Sequence, residues 1–200
     1  EGDYAQSVSA INFDSGYSTD SLFSDGTGRN YGLEITAEKF FTDGWYALGT
    51  VSLYRSLYTA RDGVERNTRY DGRYVFNVLA GKEWTVGKRQ VNKLSMNLRL
   101  SNAGGNRVSP IDLAASQAEG GTVRDYSRAF ETQLPYYFRT DFRIAYRFNK
   151  RRASSVISLD FQNVTNRENI WRDYYSPGTQ EIKQITQLGL IPILNYRLEF

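Results

Sequence analysis

The densest set of chemically capable side chains alternates with aromatic residues near the middle of the C-terminal half. In an extended strand, every second residue lies on the same face. The charged face would carry Arg139, Asp141, Arg143 and Arg147, with Asp160 and Gln162 on the following strand. Such a ladder either contacts a polar ligand or partner domain, or pairs charges across neighbouring strands. The residue types favour the second, structural interpretation.

Two missing residue types exclude most hydrolytic chemistry. The 200 residues include no His and no Cys, so a Ser-His-Asp triad, a thiolate zinc site and a cysteine nucleophile are all impossible. Glu34 and Glu38 would lie roughly 13 Å apart along a strand, a spacing that alone does not define a glycosidase. Asp112, Asp125 and Asp173 lack calcium-binding spacing. We predict no catalytic residue, no metal site, no cofactor and no enzymatic activity.

Antiparallel strands are predicted to position the charged side chains. The alternating segments are 31–41, 45–58, 73–84, 91–101, 136–148, 155–163 and 186–200, the last interrupted by Gly189 and Pro192. Short connections at 42–44, 87–89 and 149–152 are expected to alternate with long ones at 14–29, 60–72, 102–134 and 166–184. Aromatic residues occupy many of the strand ends.

The composition agrees with strands and argues against nucleic-acid binding. The chain has 15 Tyr, 11 Phe and 17 Gly but only 4 Pro, which suits strands joined by turns. The mean hydropathy of −0.55 is what a soluble protein shows, but a transmembrane barrel averages to similar values. The net charge of +3 is spread over the strands, so nucleic-acid binding is not expected.

Short turns at one end and long loops at the other are typical of outer-membrane barrels. Taken singly, each strand also fits a soluble antiparallel sandwich. The membrane barrel is favoured by three features together: the charged polar faces, the aromatic strand ends and the alternating connection lengths. The predicted lumen-facing residues are Glu34, Glu38, Asn97, Arg99, Arg139, Asp141, Arg143, Arg147, Asp160, Gln162 and Arg197.

Two motifs in the C-terminal part are distinctive: Asp160-Phe161-Gln162-Asn163-Val164-Thr165-Asn166-Arg167, and Gly189-Leu190-Ile191-Pro192 with the terminal Tyr196-Arg197-Leu198-Glu199-Phe200. With the stretches 28–34, 44–46, 52–54, 79–84, 106–112 and 137–143, in this order and spacing, they resemble the late barrel of TonB-dependent outer-membrane transporters, most closely those of Bacteroidetes-type bacteria. The resemblance covers most of the chain from about Gly26 onward, and the two motifs are its most specific parts.

The resemblance implies an all-β, antiparallel, up-and-down transmembrane barrel of about 22 strands with a plugged lumen. Residues 1–200 are then one partial domain, the C-terminal portion of the barrel, and the plug lies outside this chain. Glu1 is not expected to be a true beginning, whereas Phe200 is expected to be a true end. Tyr196, Leu198 and Phe200 are expected to carry the signal that the barrel-insertion machinery recognises.

The function implied is active uptake across the outer membrane of a Gram-negative bacterium. The cargo would be a metal chelate, glycan, vitamin or peptide, and this segment would supply wall and extracellular loops. Expected partners are outer-membrane lipid, a TonB-type energy-transducing protein contacted by the missing N-terminal part, and the barrel-insertion machinery. A surface lipoprotein is a further candidate partner, which would point to glycan or peptide import. The alternative is a small outer-membrane barrel acting as adhesin or structural protein; a barrel hydrolase is disfavoured by the absence of His.

Overall fold

The computed structural model describes residues 25–200, which form an all-β protein with antiparallel sheets. The strands are β1 (Thr27–Thr42), β2 (Trp45–Thr59), β3 (Glu65–Asn67), β4 (Tyr74–Val86), β5 (Asn92–Ala103), β6 (Arg107–Val108), β7 (Thr132–Gln133), β8 (Tyr137–Asn149), β9 (Ser154–Gln162), β10 (Ile170–Ser176), β11 (Glu181–Thr186) and β12 (Ile191–Glu199). One helix, α1 (Leu113–Glu119), and a 3₁₀ turn (Tyr126–Arg128) lie between β6 and β7. No helix in this part of the chain has the length and apolar character needed to cross a membrane.

The main sheet has the order β1-β2-β4-β5-β8-β9-β12, and β3 adds to one end of β2. All neighbours are antiparallel. Within residues 25–200 the sheet is open, with β1 and β12 as its edges. The predicted strands are all present to within a few residues, except that the last begins at Ile191 rather than near residue 186.

Pro192 is compatible with β12 because a proline lacks the amide hydrogen that a strand in the interior of a sheet would need. It pairs with Phe161 of β9, and the opposite edge of β12 has no neighbour among the described residues. Gly189 belongs to the preceding connection, where a Cβ would collide with the Asn166 side chain. Of the two predicted interruptions, Gly189 therefore lies in the connection before β12 and Pro192 at the beginning of the strand.

The connections alternate in length as predicted. Tight turns join β1 to β2, β4 to β5 and β8 to β9 at one end of the sheet. The connections 60–73, 104–136 and 163–190 all lie at the opposite end, and we call them the loop layer. Residues 14–24 of the first predicted connection lie outside the described residues.

The two faces of the main sheet differ sharply in polarity. One cross-strand row on the apolar face runs through Trp84, Leu94, Tyr146, Ile157 and Tyr196. Apolar side chains on this face are exposed even in the middle of strands. Leu33 is 62% exposed, Leu53 54% and Leu194 73%. This surface far exceeds the isolated exposed apolar residues normal for a protein in water.

The buried apolar cluster lies where the end of β2 meets the loop layer. Tyr58, Ala60, Ala129 and Phe130 form the buried cluster, and the Tyr58 and Phe130 rings meet edge to face with centroids 6.3 Å apart. The long connections thus fold into an ordered layer stabilised by its own contacts. The sequence predicted their lengths but not this packing.

Helix α1 was not predicted inside the connection 104–136. Asp112 caps its start, since the carboxylate accepts a hydrogen bond from the Ala115 amide at 3.0 Å. Gly120 ends it in the left-handed conformation with φ of 68°. A seven-residue helix is too short to give a clear periodic pattern.

Candidate functional site: the polar face and the loop layer

All the predicted lumen-facing residues lie on one face of the main sheet. The pairing rows establish this, because partners in register share a face. Glu83, Ser95, Ala145, Ser158 and Asn195 form one such row across the polar face. In each strand the predicted residues occupy the alternate positions that share this face: Glu34, Glu38, Asn97, Arg99, Arg139, Asp141, Arg143, Arg147, Asp160, Gln162 and Arg197. That this face lines a lumen stays a prediction.

The charged ladder consists of pairs within and between strands. Arg143 Nε lies 3.3 Å from Asp160 Oδ1 on the neighbouring strand. Arg139 instead pairs within its own strand, with Nε 2.6 Å from Asp141 Oδ1. Asn195 donates to Asp160 Oδ2 at 2.6 Å. This arrangement agrees with the structural interpretation, in which the charges neutralise one another along a wet wall.

Glu199 is a member of this network that is not among the predicted lumen-facing residues, although it lies on the charged face of the last strand in the sequence pattern. Its carboxylate lies 2.6 Å from Arg147 Nη1 and 2.8 Å from Arg197 Nη2. The signal was present, because Glu199 has the same parity as Arg197 in the final strand. Arg147 belongs to β8, two strands away from β12, so the contact reaches over β9 across the polar face.

A shallow depression of about 380 Å³ lies on the polar face near the tight turns. Its rim includes Glu83 and Lys93, whose charged groups are 3.2 Å apart. Asn97 borders it and accepts a hydrogen bond from the Tyr46 hydroxyl at 2.8 Å. Cations outnumber carboxylates around it: the lining includes Lys93, Arg143, Arg147 and Arg197 but only Glu83 as an acid. Each of these cations is already paired with a carboxylate of the polar face: Lys93 with Glu83, Arg143 with Asp160, and Arg147 and Arg197 with Glu199.

Glu34 and Glu38 do not form a recognisable catalytic pair. Both are exposed near the open edge, and Glu34 accepts a hydrogen bond from Ser52 at 3.0 Å. No group of three or more His, Cys, Asp or Glu side chains within residues 25–200 is arranged to hold a metal ion. Asp112, Asp125 and Asp173 have structural partners: two cap helical turns, and Asp173 pairs with Arg124 at 2.7 Å.

A buried carboxylate at the base of the loop layer was not predicted. Asp71 is fully buried, and its Oδ1 accepts from Arg55 Nε at 3.2 Å and from the Ser56 amide at 2.8 Å. Arg107 Nε lies 3.3 Å from Asp71 Oδ2, and its Nη1 donates to the Glu131 carbonyl at 3.1 Å. Burial lowers the pKa of the Arg107 guanidinium, and the nearby Asp71 carboxylate opposes that shift. The pair therefore joins the first two long connections.

The second and third long connections are joined by a different ion pair. Arg124 Nη2 lies 2.7 Å from Asp173 Oδ1 and 3.0 Å from the Asp173 carbonyl, while Nη1 donates to the Ser109 carbonyl at 2.6 Å. The Tyr175 amide also donates to Thr122 Oγ1 at 2.9 Å. The hairpin of β10 and β11 is thereby fixed against the segment that contains α1.

The most specific motif of the sequence, residues 160–167, builds the turn after β9. Asn163 is buried and its Nδ2 donates to the carbonyls of Arg167 at 2.9 Å and Leu188 at 3.2 Å. Asn166 Oδ1 accepts from the Leu190 amide at 2.9 Å. Both asparagines have positive φ, a conformation that Asn tolerates better than most residues. Arg167 closes the region by stacking on Tyr136, with 4.0 Å to the ring centroid.

The predicted insertion-signal residues lie on and beyond the last strand. Tyr196 and Leu198 occupy the apolar face with 64% and 43% exposure, and Phe200 is 98% exposed. The Tyr196 hydroxyl lies 3.3 Å from Ser155 Oγ. Their accessibility leaves the predicted recognition by insertion machinery sterically feasible.

Comparison with family models, with curated proteins and with solved structures finds no match to this chain. The class that the fold itself defines is therefore the coarse one: an all-β protein built on an open antiparallel sheet with one polar and one exposed apolar face.

Proposed function

We propose that the chain forms part of the wall and loops of a transmembrane β-barrel in the outer membrane of a Gram-negative bacterium, within a TonB-dependent transporter that takes up a nutrient. One observation carries the membrane part. The sheet exposes a broad and mostly apolar face, on which Lys39 and Lys82 lie near the tight turns, while its other face is charged and internally paired. A lipid-facing exterior and a wet interior require this division.

The strand lengths support a spanning role. β4 and β8 have 13 residues each and β5 has 12, whereas about 9–11 tilted residues suffice to cross a bilayer. β9 and β12 have nine each, at the lower limit. The tight turns would face the periplasm and the loop layer the outside.

The open edges support a larger assembly. A sheet inside a bilayer must close, because unpaired backbone groups have no water to bond there. β1 and β12 each leave one side unpaired within residues 25–200. Further strands of the same protein would close the barrel, to about 22 strands if the motif resemblance holds.

The resemblance of residues 160–167 and 189–200 to TonB-dependent transporters supports active uptake in particular. In this proposal no residue of the chain makes or breaks a covalent bond of the cargo. The polar face contacts the plug and water, the loop layer contacts cargo, and an N-terminal part engages the energy-transducing protein. A surface lipoprotein would cover the loops if the cargo is a glycan or peptide.

Uptake in cells tests the proposal. A strain lacking the whole gene and a strain complemented with it are given labelled ferric chelates, cobalamin, oligosaccharides and peptides in turn. We expect the complemented strain alone to accumulate one class, and a protonophore to abolish that accumulation. Surface-displayed protein with unchanged, protonophore-insensitive uptake of all classes would contradict the transport proposal.

A second candidate, an outer-membrane adhesin or structural barrel, is favoured by the ordered loop layer with its Arg124–Asp173 and Arg107–Asp71 ion pairs. The upstream coding sequence discriminates between the two. A plug domain preceding the barrel would exclude the small adhesin barrel.

A further inference from the structure

Two neighbouring tight turns carry an uncompensated cluster of positive charge. The β4–β5 turn has the sequence Gly-Lys-Arg-Gln and the β8–β9 turn Lys-Arg-Arg, and neither contains an acidic residue. We call the following exposed side chains the turn patch: Lys88, Arg89, Lys150, Arg151 and Arg152. The two groups of cations are some 60 residues apart in the sequence, so the sequence alone does not show them as one cluster.

The fold brings the two turns side by side and fixes them. β5 and β8 are adjacent strands, and the Asn149 amide donates to Asn92 Oδ1 at 3.0 Å. Asn149 Nδ2 also donates to the Val91 carbonyl at 2.6 Å, a direct bond from one turn region to the other. Within the first turn, the Gln90 amide donates to the Gly87 carbonyl at 3.0 Å. The charges are therefore presented together on ordered backbone.

The cations of the turn patch have no acidic partner among residues 25–200. None of the ion pairs in this part of the chain includes one of them. The nearest carboxylate along β4, Glu83, is already paired with Lys93 at 3.2 Å. The patch thus keeps its full charge for an external anion.

The turn patch borders the exposed apolar face at its aromatic-rich end. Trp84 and Phe148 lie on that face just before the two turns, 40% and 39% exposed. Phe148 contacts Tyr146, with ring centroids 4.4 Å apart and the ring planes tilted by 49°. Lys39 is also on this face, 4.0 Å above the Trp45 ring, and donates to the Thr42 carbonyl at 3.2 Å. Aromatic rings backed by lysines mark the headgroup level of a bilayer.

We propose that the turn patch binds the phosphate groups of anionic phospholipids in the leaflet at the tight-turn end. This rests on the proposed membrane function. The turn patch adjoins the apolar face, and this favours a lipid over a soluble polyanion as its ligand. Acyl chains that lie against Trp84 and Phe148 would place their headgroups beside the patch. Clustered Lys and Arg beside a membrane-embedded surface attract anionic lipid by charge.

Spin-labelled lipid competition tests this on the full-length protein reconstituted in phosphatidylcholine bilayers. The association of labelled phosphatidylglycerol is measured relative to labelled phosphatidylcholine. We expect a preference of about threefold at low salt, weakened at 1 M NaCl. The quintuple variant K88Q/R89Q/K150Q/R151Q/R152Q should lose the preference.

A matched pair of variants controls for net charge. K88Q/R89Q removes two charges from the turn patch, and R172Q/K183Q removes two from the loop layer. Only the first should reduce the preference for phosphatidylglycerol. An equal reduction in both, or a wild-type protein without any preference, would overturn the lipid proposal.

Insertion is scored separately by protease protection in the same vesicles. Inserted protein without a lipid preference contradicts the patch proposal alone, whereas a chain that never inserts contradicts the membrane function and the patch together. If the inserted wild type shows no lipid preference but retains a polyglutamate peptide that the quintuple variant does not, the patch serves an acidic protein partner and the lipid proposal fails.

Discussion

Asp71 is a fully buried carboxylate that pairs with Arg55 of β2 and with Arg107 of the second long connection. It has no exposed surface, and Arg107, with a side chain only 6% exposed, relies on it for charge compensation. Removing one member of a buried ion pair leaves the other charged and desolvated, which costs more than losing an exposed pair. The local stability of the loop layer should therefore be sensitive to this carboxylate.

We expect Asp71→Asn to lower the free energy of opening of residues 60–73 and 104–136 by about 3 kcal/mol. Asparagine keeps the shape and can still accept from the Ser56 amide, so the loss reports the charge. Hydrogen exchange on the native protein measures it. Asp25→Asn is the matched control, because the Asp25–Arg61 pair is exposed with a 3.8 Å separation. Equal protection in the two variants would contradict the role assigned to Asp71.

Gly104 makes the closest backbone approach between two long connections. A Cβ at this position would collide with the carbonyl oxygen of Gly72. Since a backbone atom cannot move aside as a flexible side chain can, Gly104→Ala should separate the connections. We expect a loss of about 2 kcal/mol, as for other overpacked sites.

Gly121→Ala is its control, because a Cβ there meets nothing within 4 Å. Chemical unfolding of both variants, followed by tryptophan fluorescence in detergent, checks the difference. A Gly104→Ala protein as stable as Gly121→Ala would show that the two connections can move apart without cost.

At the scale of strands, the alternation of residue types predicted the seven long strands of the main sheet but not the short strands β3, β6, β7, β10 and β11 inside the predicted connections. Each strand of the main sheet carries an apolar and a polar face, and period two fixes which side chains share a face. The tight turn at Asp43-Gly44 was predicted from its residue types, because Asp and Gly tolerate the positive φ that both residues adopt in the structure. The partner of each charged side chain could not be predicted, because alternation gives the face of a strand and not its register. For example, Arg139 pairs with Asp141 of its own strand, which the assignment of both residues to one face does not reveal.

The loop layer escaped prediction for a different reason. Its stabilising contacts join residues far apart in sequence, as with Arg124 and Asp173 or Arg107 and Asp71. A periodic pattern within one segment of the sequence does not predict such pairs. The motif at residues 160–167 was recognised by resemblance, and only the structure gives it a physical role, in the bonds that Asn163 and Asn166 donate and accept.

A charge placed on each face of β5 distinguishes a lipid-facing from a water-facing surface. Leu98 lies on the apolar face and is 39% exposed, so in water Leu98→Arg would be nearly neutral. Facing lipid, the arginine should cost about 2–4 kcal/mol. Ser95→Arg, on the polar face opposite Glu83, is the control and should cost little.

Unfolding of the full-length variants from bilayers by guanidinium gives the comparison. Equal stability of the Leu98→Arg and Ser95→Arg proteins would contradict the assignment of the apolar face to lipid.

For the whole molecule, the absence of cysteine permits a direct test of orientation. The chain contains no Cys, so a single introduced thiol is the only labelling site that it contributes. Gly178 lies at the β10–β11 turn, where an added Cβ meets nothing within 4 Å, and Arg151 lies exposed at the opposite end. If the tight turns face the periplasm, an impermeant maleimide added to intact cells should label Gly178→Cys and not Arg151→Cys. Permeabilising the outer membrane should make both reactive, which controls for folding and thiol accessibility. Labelling of Arg151→Cys in intact cells, with Gly178→Cys protected, would invert the orientation, and equal labelling of both would argue against a spanning sheet.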